Sequence, residues 1–167
     1  SRWAELRPVL VRVPVLHGVV EPANDNDDAS VINTSGFQWE RPYTAPGLDR
    51  TATYGAWFRA LLHQPGTMVL IYFPYLAPWL SNNPAISGAP FPGAPNPPND
   101  LAEYRELVKA TLEYLINVLH FPAQRILVEA MNEPDLACGA DPVVPCFWQN
   151  WTMADIANVV RVTHEAI

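Results

Sequence analysis

Asn132 and Glu133 are the residues whose types and position most plainly suggest chemistry. They follow the apolar run Ile126-Leu127-Val128-Glu129-Ala130-Met131 and precede Pro134. A compact apolar run bounded by turn residues predicts a buried strand. Proline cannot continue the ladder, so the pair falls at the strand's carboxyl end. Parallel α/β folds place their reacting groups at that end. A carboxyl group held there by stiff backbone is a candidate general acid or base. The competing reading of Glu133 is a solvated carboxylate at a strand end.

Three further groups carry possible chemistry. Arg12 is the one charge in the run Val9-Leu10-Val11-Arg12-Val13. In a barrel it would point to the interior near the mouth; otherwise it is a surface arginine on an edge strand. The acidic run Asp25-Asn26-Asp27-Asp28 lacks the Gly and the distal Glu of an EF-hand loop and reads as a solvated loop. Cys138 and Cys146 lie in one loop and form either a short disulfide staple, with an oxidising compartment implied, or two free thiols. No Cys-x-x-Cys or His/Cys cluster suggests zinc, and no metal or cofactor is expected.

Bulk properties narrow the class. The chain has 167 residues, 49% of them hydrophobic, enough for one domain with a core. A net charge of −7 without a basic stripe argues against nucleic acid and against anionic membrane surfaces. No apolar run approaches the roughly 20 residues of a membrane helix. The first residues lack the apolar core of a signal peptide, but a signal could have been removed or lie upstream, and a secreted or extracellular location is slightly favoured.

The elements that must position these groups alternate. A helix tail over 1–7 ends at Pro8. A strand over 9–13 follows, then a long loop over 17–48. Asp49 is the expected cap of a helix carrying Tyr54, Trp57, Phe58, Leu61 and Leu62. Thr67–Phe73 predicts a second buried strand. A Pro-, Gly- and Asn-rich loop over 74–99 leads to Asp100 and Glu103, a capping-box pattern. The helix after it runs to about 119, with Leu101, Tyr104, Leu107, Val108 and Leu115 on its apolar face and Glu103, Arg105, Glu106 and Lys109 on its wet side. The strand 126–131 is third, and Thr152 with Asp155 caps a last helix. Such alternation predicts a parallel sheet of right-handed βαβ units. The strand-to-helix loops are long and the helix-to-strand loops short, so one end of the sheet is elaborated, as at the active end of barrel enzymes. His63 and His120 fall at the plain end and read as structural.

Asn132-Glu133-Pro134 resembles the mark of the retaining glycoside hydrolases of clan A, where it closes the fourth strand of a (β/α)8 barrel. Val11-Arg12-Val13 is similar to that clan's second strand. The stretch from Met68 to Leu80, including Pro78-Trp79-Leu80, is similar to its third. With the helix 101–119 and Asn132-Glu133-Pro134-Asp135-Leu136, these most resemble glycoside hydrolase family 39, the β-xylosidase and α-iduronidase group. The resemblance implies that residues 1–167 are part of a TIM barrel, about strands two to four with their helices, and act on carbohydrate. It makes Glu133 the acid/base, with a pKa that must sit above the usual carboxyl range while the glycoside is intact. It makes Asn132 the partner of the sugar 2-hydroxyl and Arg12 the group that keeps the nucleophile ionised. The family's second strand usually reads Arg-x-His; here Val13-Pro14 follow Arg12, and His17, a few residues on, is the candidate for that place. Met131 stands where the family usually has Trp. Trp79, Trp148 and Trp151 are candidate stacking platforms for sugar faces, or loop packing.

The clan's nucleophile, a Glu at the end of strand seven, has no counterpart here: Glu129 reads as mid-strand, Glu113 as helical, Glu21 and Glu40 as loop residues. The nucleophile is expected outside this chain, and the isolated chain is expected to be inactive. The missing barrel half would come in cis or from another copy. The competing readings are a non-catalytic carbohydrate-binding protein and a self-associating half-barrel whose unpaired edges invite a partner.

Overall fold

The computed structural model describes residues 8–25, 28–44, 51–82, 96–131 and 151–167. Among these residues the architecture is mixed α/β, with a three-stranded parallel sheet and four α-helices. The strands β1 (Leu10–Pro14), β4 (Met68–Tyr72) and β5 (Ile126–Glu129) lie in the order β1-β4-β5. β2 (Tyr43–Thr44) and β3 (Thr51–Ala52) form a separate antiparallel pair. The helices are α1 (His17–Val20), α2 (Tyr54–Leu62), α3 (Leu101–Glu113) and α4 (Met153–Ala166). Parallel neighbours require crossovers, and α2 and α3 supply them, as the alternation predicts.

The sheet shows period-two burial. Val13, Val69 and Ile71 point into a core shared with Phe58, Leu107, Val108 and Val159. Successive strand residues face opposite sides, so Leu10, Arg12, Met68, Leu70, Tyr72, Leu127 and Glu129 share the other face. That face is not covered: Leu10 is 48% and Leu127 42% exposed.

The helices start where local chemistry dictates. Thr53, not Asp49, caps α2, its hydroxyl accepting from the Ala56 amide at 3.0 Å; Asp49 lies outside the described residues. Asp100 caps α3 by accepting from the Ala102 and Glu103 amides. Thr152 and Asp155 form the complete capping box of α4. Past Glu113 the last turn of α3 widens into a π-helical turn over Tyr114–Val118, closed by the Leu119 amide donating to the Tyr114 carbonyl at 3.0 Å. In the turn between α2 and β4, Gly66 sits at φ 78°, a region that costs glycine nothing.

One expectation about α3 is corrected. Glu103 and Glu106 are not on a wet side; they are 8% and 1% exposed. The segment after β1 lies along that face of α3, and Trp39 stacks on Tyr114 with ring centroids 4.8 Å apart. The long loop predicted over 17–48 thus contains α1 and β2, and Phe37 and Trp39 anchor it in the core.

Candidate functional site

The chain leaves β5 at the carboxyl end of the sheet. Just beyond Glu129, the Ala130 carbonyl accepts a hydrogen bond from the Tyr104 hydroxyl of α3 at 3.0 Å. Met131 is buried beside it. Asn132 and Glu133 come next and lie outside the described residues, as do Cys138, Cys146 and Trp148. The backbone is therefore held to within one residue of Asn132. A matching device holds β1: the Tyr54 hydroxyl of α2 donates to the Pro14 carbonyl at 2.7 Å and accepts from the Leu16 amide at 2.8 Å. Two helix-borne tyrosines thus fix the carboxyl ends of the two outer strands. Removing the Tyr104 hydroxyl leaves the Ala130 carbonyl unserved, so Tyr104→Phe is expected to cost about 1–2 kcal/mol in denaturant unfolding.

Arg12 projects from the uncovered face. Its Nε donates to Glu129 Oε2 at 2.8 Å and its Nη2 to Oε1 at 2.5 Å, a bidentate pair. The two residues belong to strands that are not neighbours. β4 lies between them, so the pair spans two strand spacings, roughly 9.6 Å. Arg12 crosses over the Tyr72 side chain on the way, its guanidinium carbon 3.8 Å from the ring centroid. Side chains of the pair are 40% and 28% exposed, so the ion pair adds little stability while the face stays open. Its effect is positional: it fixes an arginine one layer below the strand ends. Sequence reasoning set Glu129 aside as mid-strand. It is the last residue of β5, and the period-two alternation that puts it on the same face as Arg12 was the available signal.

His17 is fully buried at the start of α1. Its Nδ1 accepts from the Ala77 amide at 3.1 Å, and its Nε2 faces Glu21 Oε2 at 2.7 Å. With Nδ1 an acceptor, Nε2 carries the proton and donates to Glu21. The imidazole is therefore neutral, and burial pulls its pKa down to about 3. Both ring nitrogens are engaged, so His17 meets its protein neighbours rather than a ligand. The Trp79 ring packs edge-on against it, centroids 5.1 Å apart, and the Trp79 Nε1 donates to the Glu21 carbonyl at 3.3 Å. Trp79 keeps a partly exposed side chain. The structure thus brings His17 and Trp79 together, and separately Arg12, Tyr72 and Glu129.

A cavity of about 670 Å³ lies elsewhere, between the segment 32–41 and the end of α3, lined by Ile32, Phe37, Trp39, Glu40, Tyr114 and Val118 among others. None of the predicted site residues lines it. At its edge Arg59 holds Glu40 by two hydrogen bonds of 2.7 and 2.8 Å, and the Tyr114 hydroxyl donates to it at 2.9 Å. The Arg59 contact keeps the Glu40 carboxyl down at about 2. Among the described residues no group of three or more His, Cys, Asp or Glu side chains is arranged to hold a metal ion.

Comparison with protein-family models, with curated proteins and with solved structures gives no match.

Proposed function

We propose that this chain forms strands two to four of a (β/α)8 barrel and carries the acid/base half of a retaining glycoside hydrolase site. The observation that supports the reading is that the backbone leading to Asn132-Glu133 leaves β5 at the carboxyl end of a parallel sheet and is held at Ala130 by Tyr104, with Met131 buried, while the other face of the sheet carries exposed apolar residues. A closed barrel covers such a face with the side chains of its other strands. Arg12, tied to Glu129 and lying over Tyr72, then belongs to the barrel interior.

In this reading Glu133 protonates the leaving oxygen and later deprotonates the attacking water. Asn132 binds the sugar 2-hydroxyl. Arg12 favours the ionised form of a nucleophile supplied by a later strand, outside residues 1–167. Trp79 and Trp148 offer flat faces to the sugar. His17 acts through Trp79, holding the ring's edge from below. No cofactor enters the reaction.

The test is the product of aryl β-xyloside cleavage by the protein that carries this stretch within its barrel, followed by proton NMR before mutarotation. Retained β-xylose as the first product supports the reading. First-formed α-xylose contradicts it, as does an absence of cleavage across aryl glycosides of several sugars.

A second reading has its own observation. Val9, Leu10 and Leu127 are exposed apolar residues on or beside the two outer strands of the sheet. Among the described residues β1 and β5 each pair with one strand only, and outer strands of this kind template pairing with another chain. Residues 1–167 alone are expected to self-associate in sedimentation velocity at micromolar concentration; a monodisperse monomer would count against an unfilled face.

A further inference from the structure

Two glutamates away from the sheet's open face are buried with no cationic side chain paired to them among the described residues. Glu21, just after α1, and Glu106, in the second turn of α3, are each 1% exposed. Glu21 Oε1 and both Glu106 carboxyl oxygens are sealed from solvent without a hydrogen-bond partner. Neither residue joins an ion pair with Lys or Arg among the described residues. An ionised carboxylate in such a place is costly, and a protonated one much less so.

The neighbours make the matter worse for charge. The Asp25 carboxylate acts against charge on both glutamates, only partly offset at Glu21 by the Asp25 backbone amide, and Glu103 acts on Glu106. Glu103 is itself served by the Asn24 side chain and lies near Asp100. The Asn33 amide faces Glu106 without closing a hydrogen bond. His17 donates to Glu21 but stays neutral, because the Ala77 amide occupies its other nitrogen. Arg105, next to Glu106 in the chain, makes no ion pair with either glutamate. On α4, the other helix packed against α3, the ionisable groups are Asp155 in the cap, the Arg161–Glu165 pair at 2.6 Å and the exposed His164. Burial, then Asp25, pushes the Glu21 carboxyl up to about 8. Burial, then Asp25, Glu103 and Glu21, pushes Glu106 up to about 7.

These groups sit at one contact. Glu21 and Asp25 belong to the segment after β1, and Glu103 and Glu106 to the face of α3 on which that segment lies. Asp25 also backs directly onto Gly36, where a side chain would collide with it. We propose that this contact is a proton-dependent latch, closed while Glu21 and Glu106 carry protons and loosened when they ionise. The folded, docked state holds protons that the open state releases, so docking weakens as pH rises through the range in which the two carboxyls titrate. His17 works in the opposite sense only below its free value of 6.5, because it stays neutral when docked. The window from about pH 6.5 to 8.5 therefore isolates the two glutamates. The latch stands independently of any hydrolase activity.

Hydrogen–deuterium exchange on the chain tests it. The reporters are amides of the docked segment, such as Gln38, whose N–H donates to the Val20 carbonyl at 2.6 Å, and Gly36, which donates to Asn33 at 2.9 Å. After correction for intrinsic exchange, their protection is expected to fall about tenfold or more between pH 6.5 and 8.5, one pKa unit being a factor of ten. The β4 amides at Val69 and Ile71 are expected to keep theirs. Glu21→Gln with Glu106→Gln is expected to make the segment's protection independent of pH across the same window. Wild-type protection that is equal at both pH values overturns the latch, and so does a pH dependence that survives the double substitution.

Discussion

Glu133→Ala is expected to divide substrates by leaving group. In the protein that carries residues 1–167, turnover of alkyl or oligosaccharide glycosides should fall by about a thousandfold, within the 10²–10⁴ that a positioned general acid supplies. Dinitrophenyl glycosides need no proton on departure. Their first step should be nearly unaffected, with the loss confined to the second step, where a base must activate water. The expectation rests on position. Tyr104 holds the Ala130 carbonyl and Met131 is buried, so the backbone is fixed up to the residue before Asn132. Steady-state rates against leaving-group pKa decide it: a steep slope in the variant and a shallow one in the wild type are expected. Equal losses on both substrate classes would remove Glu133 from the acid/base role.

Arg125→Ala is expected to cost about 3 kcal/mol of stability. Arg125 closes the 3₁₀ turn Ala123–Arg125 that feeds β5. Its Nε donates to the Thr67 carbonyl at 2.7 Å, and its Nη2 donates to the Leu61 and Gln64 carbonyls at 3.1 and 2.9 Å. It also lies over the Phe121 ring, 4.8 Å from the centroid. One guanidinium thus ties together carbonyls at the end of α2, in the turn after it, and at the residue just before β4. Hydrogen bonds from a charged donor contribute roughly 1.5–3 kcal/mol each, less where water competes. Alanine removes them together, and the Leu61 and Gln64 carbonyls keep only their backbone partners, the Gln64 and Thr67 amides. Lysine offers one point donor in place of a planar fork, so Arg125→Lys should recover less than half. Urea unfolding, with the midpoint lowered and the slope unchanged, is the check. A loss under about 1 kcal/mol would mean that water replaces these bonds freely.

The two effects mark the two ends of the sheet. At the plain end, short connections and Arg125 bind helix to strand. At the elaborated end, Tyr54 and Tyr104 fix the strands from which the candidate groups depart.

Much of this frame was legible in the chain. The runs at 9–13, 67–73 and 126–131 became β1, β4 and β5 with shifts of one or two residues, because apolar β-branched runs bounded by proline and turn residues have few other uses. Thr152-x-x-Asp155 was read as a cap and is one, since capping is local chemistry. What was not legible depends on contacts distant in the chain. Glu106 looks like a wet helix residue until the segment after β1 is laid on it. Glu129 looks like a mid-strand charge until Arg12 reaches it across β4. Thr53 rather than Asp49 caps α2 because the β2–β3 pair ends just before it. The His17–Glu21 pair has i,i+4 spacing and was visible in principle; its burial was not.

The central claim is that Glu133 is the acid/base of a retaining glycosidase, and one measurement addresses it most directly. Glu133→Ala, acting on an activated aryl β-glycoside with sodium azide present, is expected to regain turnover as azide concentration rises and to yield the β-glycosyl azide. The small anion then attacks the glycosyl-enzyme from the side that the missing carboxylate had served, and needs no base to do so. An α-glycosyl azide would place the removed carboxylate in the nucleophile's role. No rescue and no azide product would contradict the account.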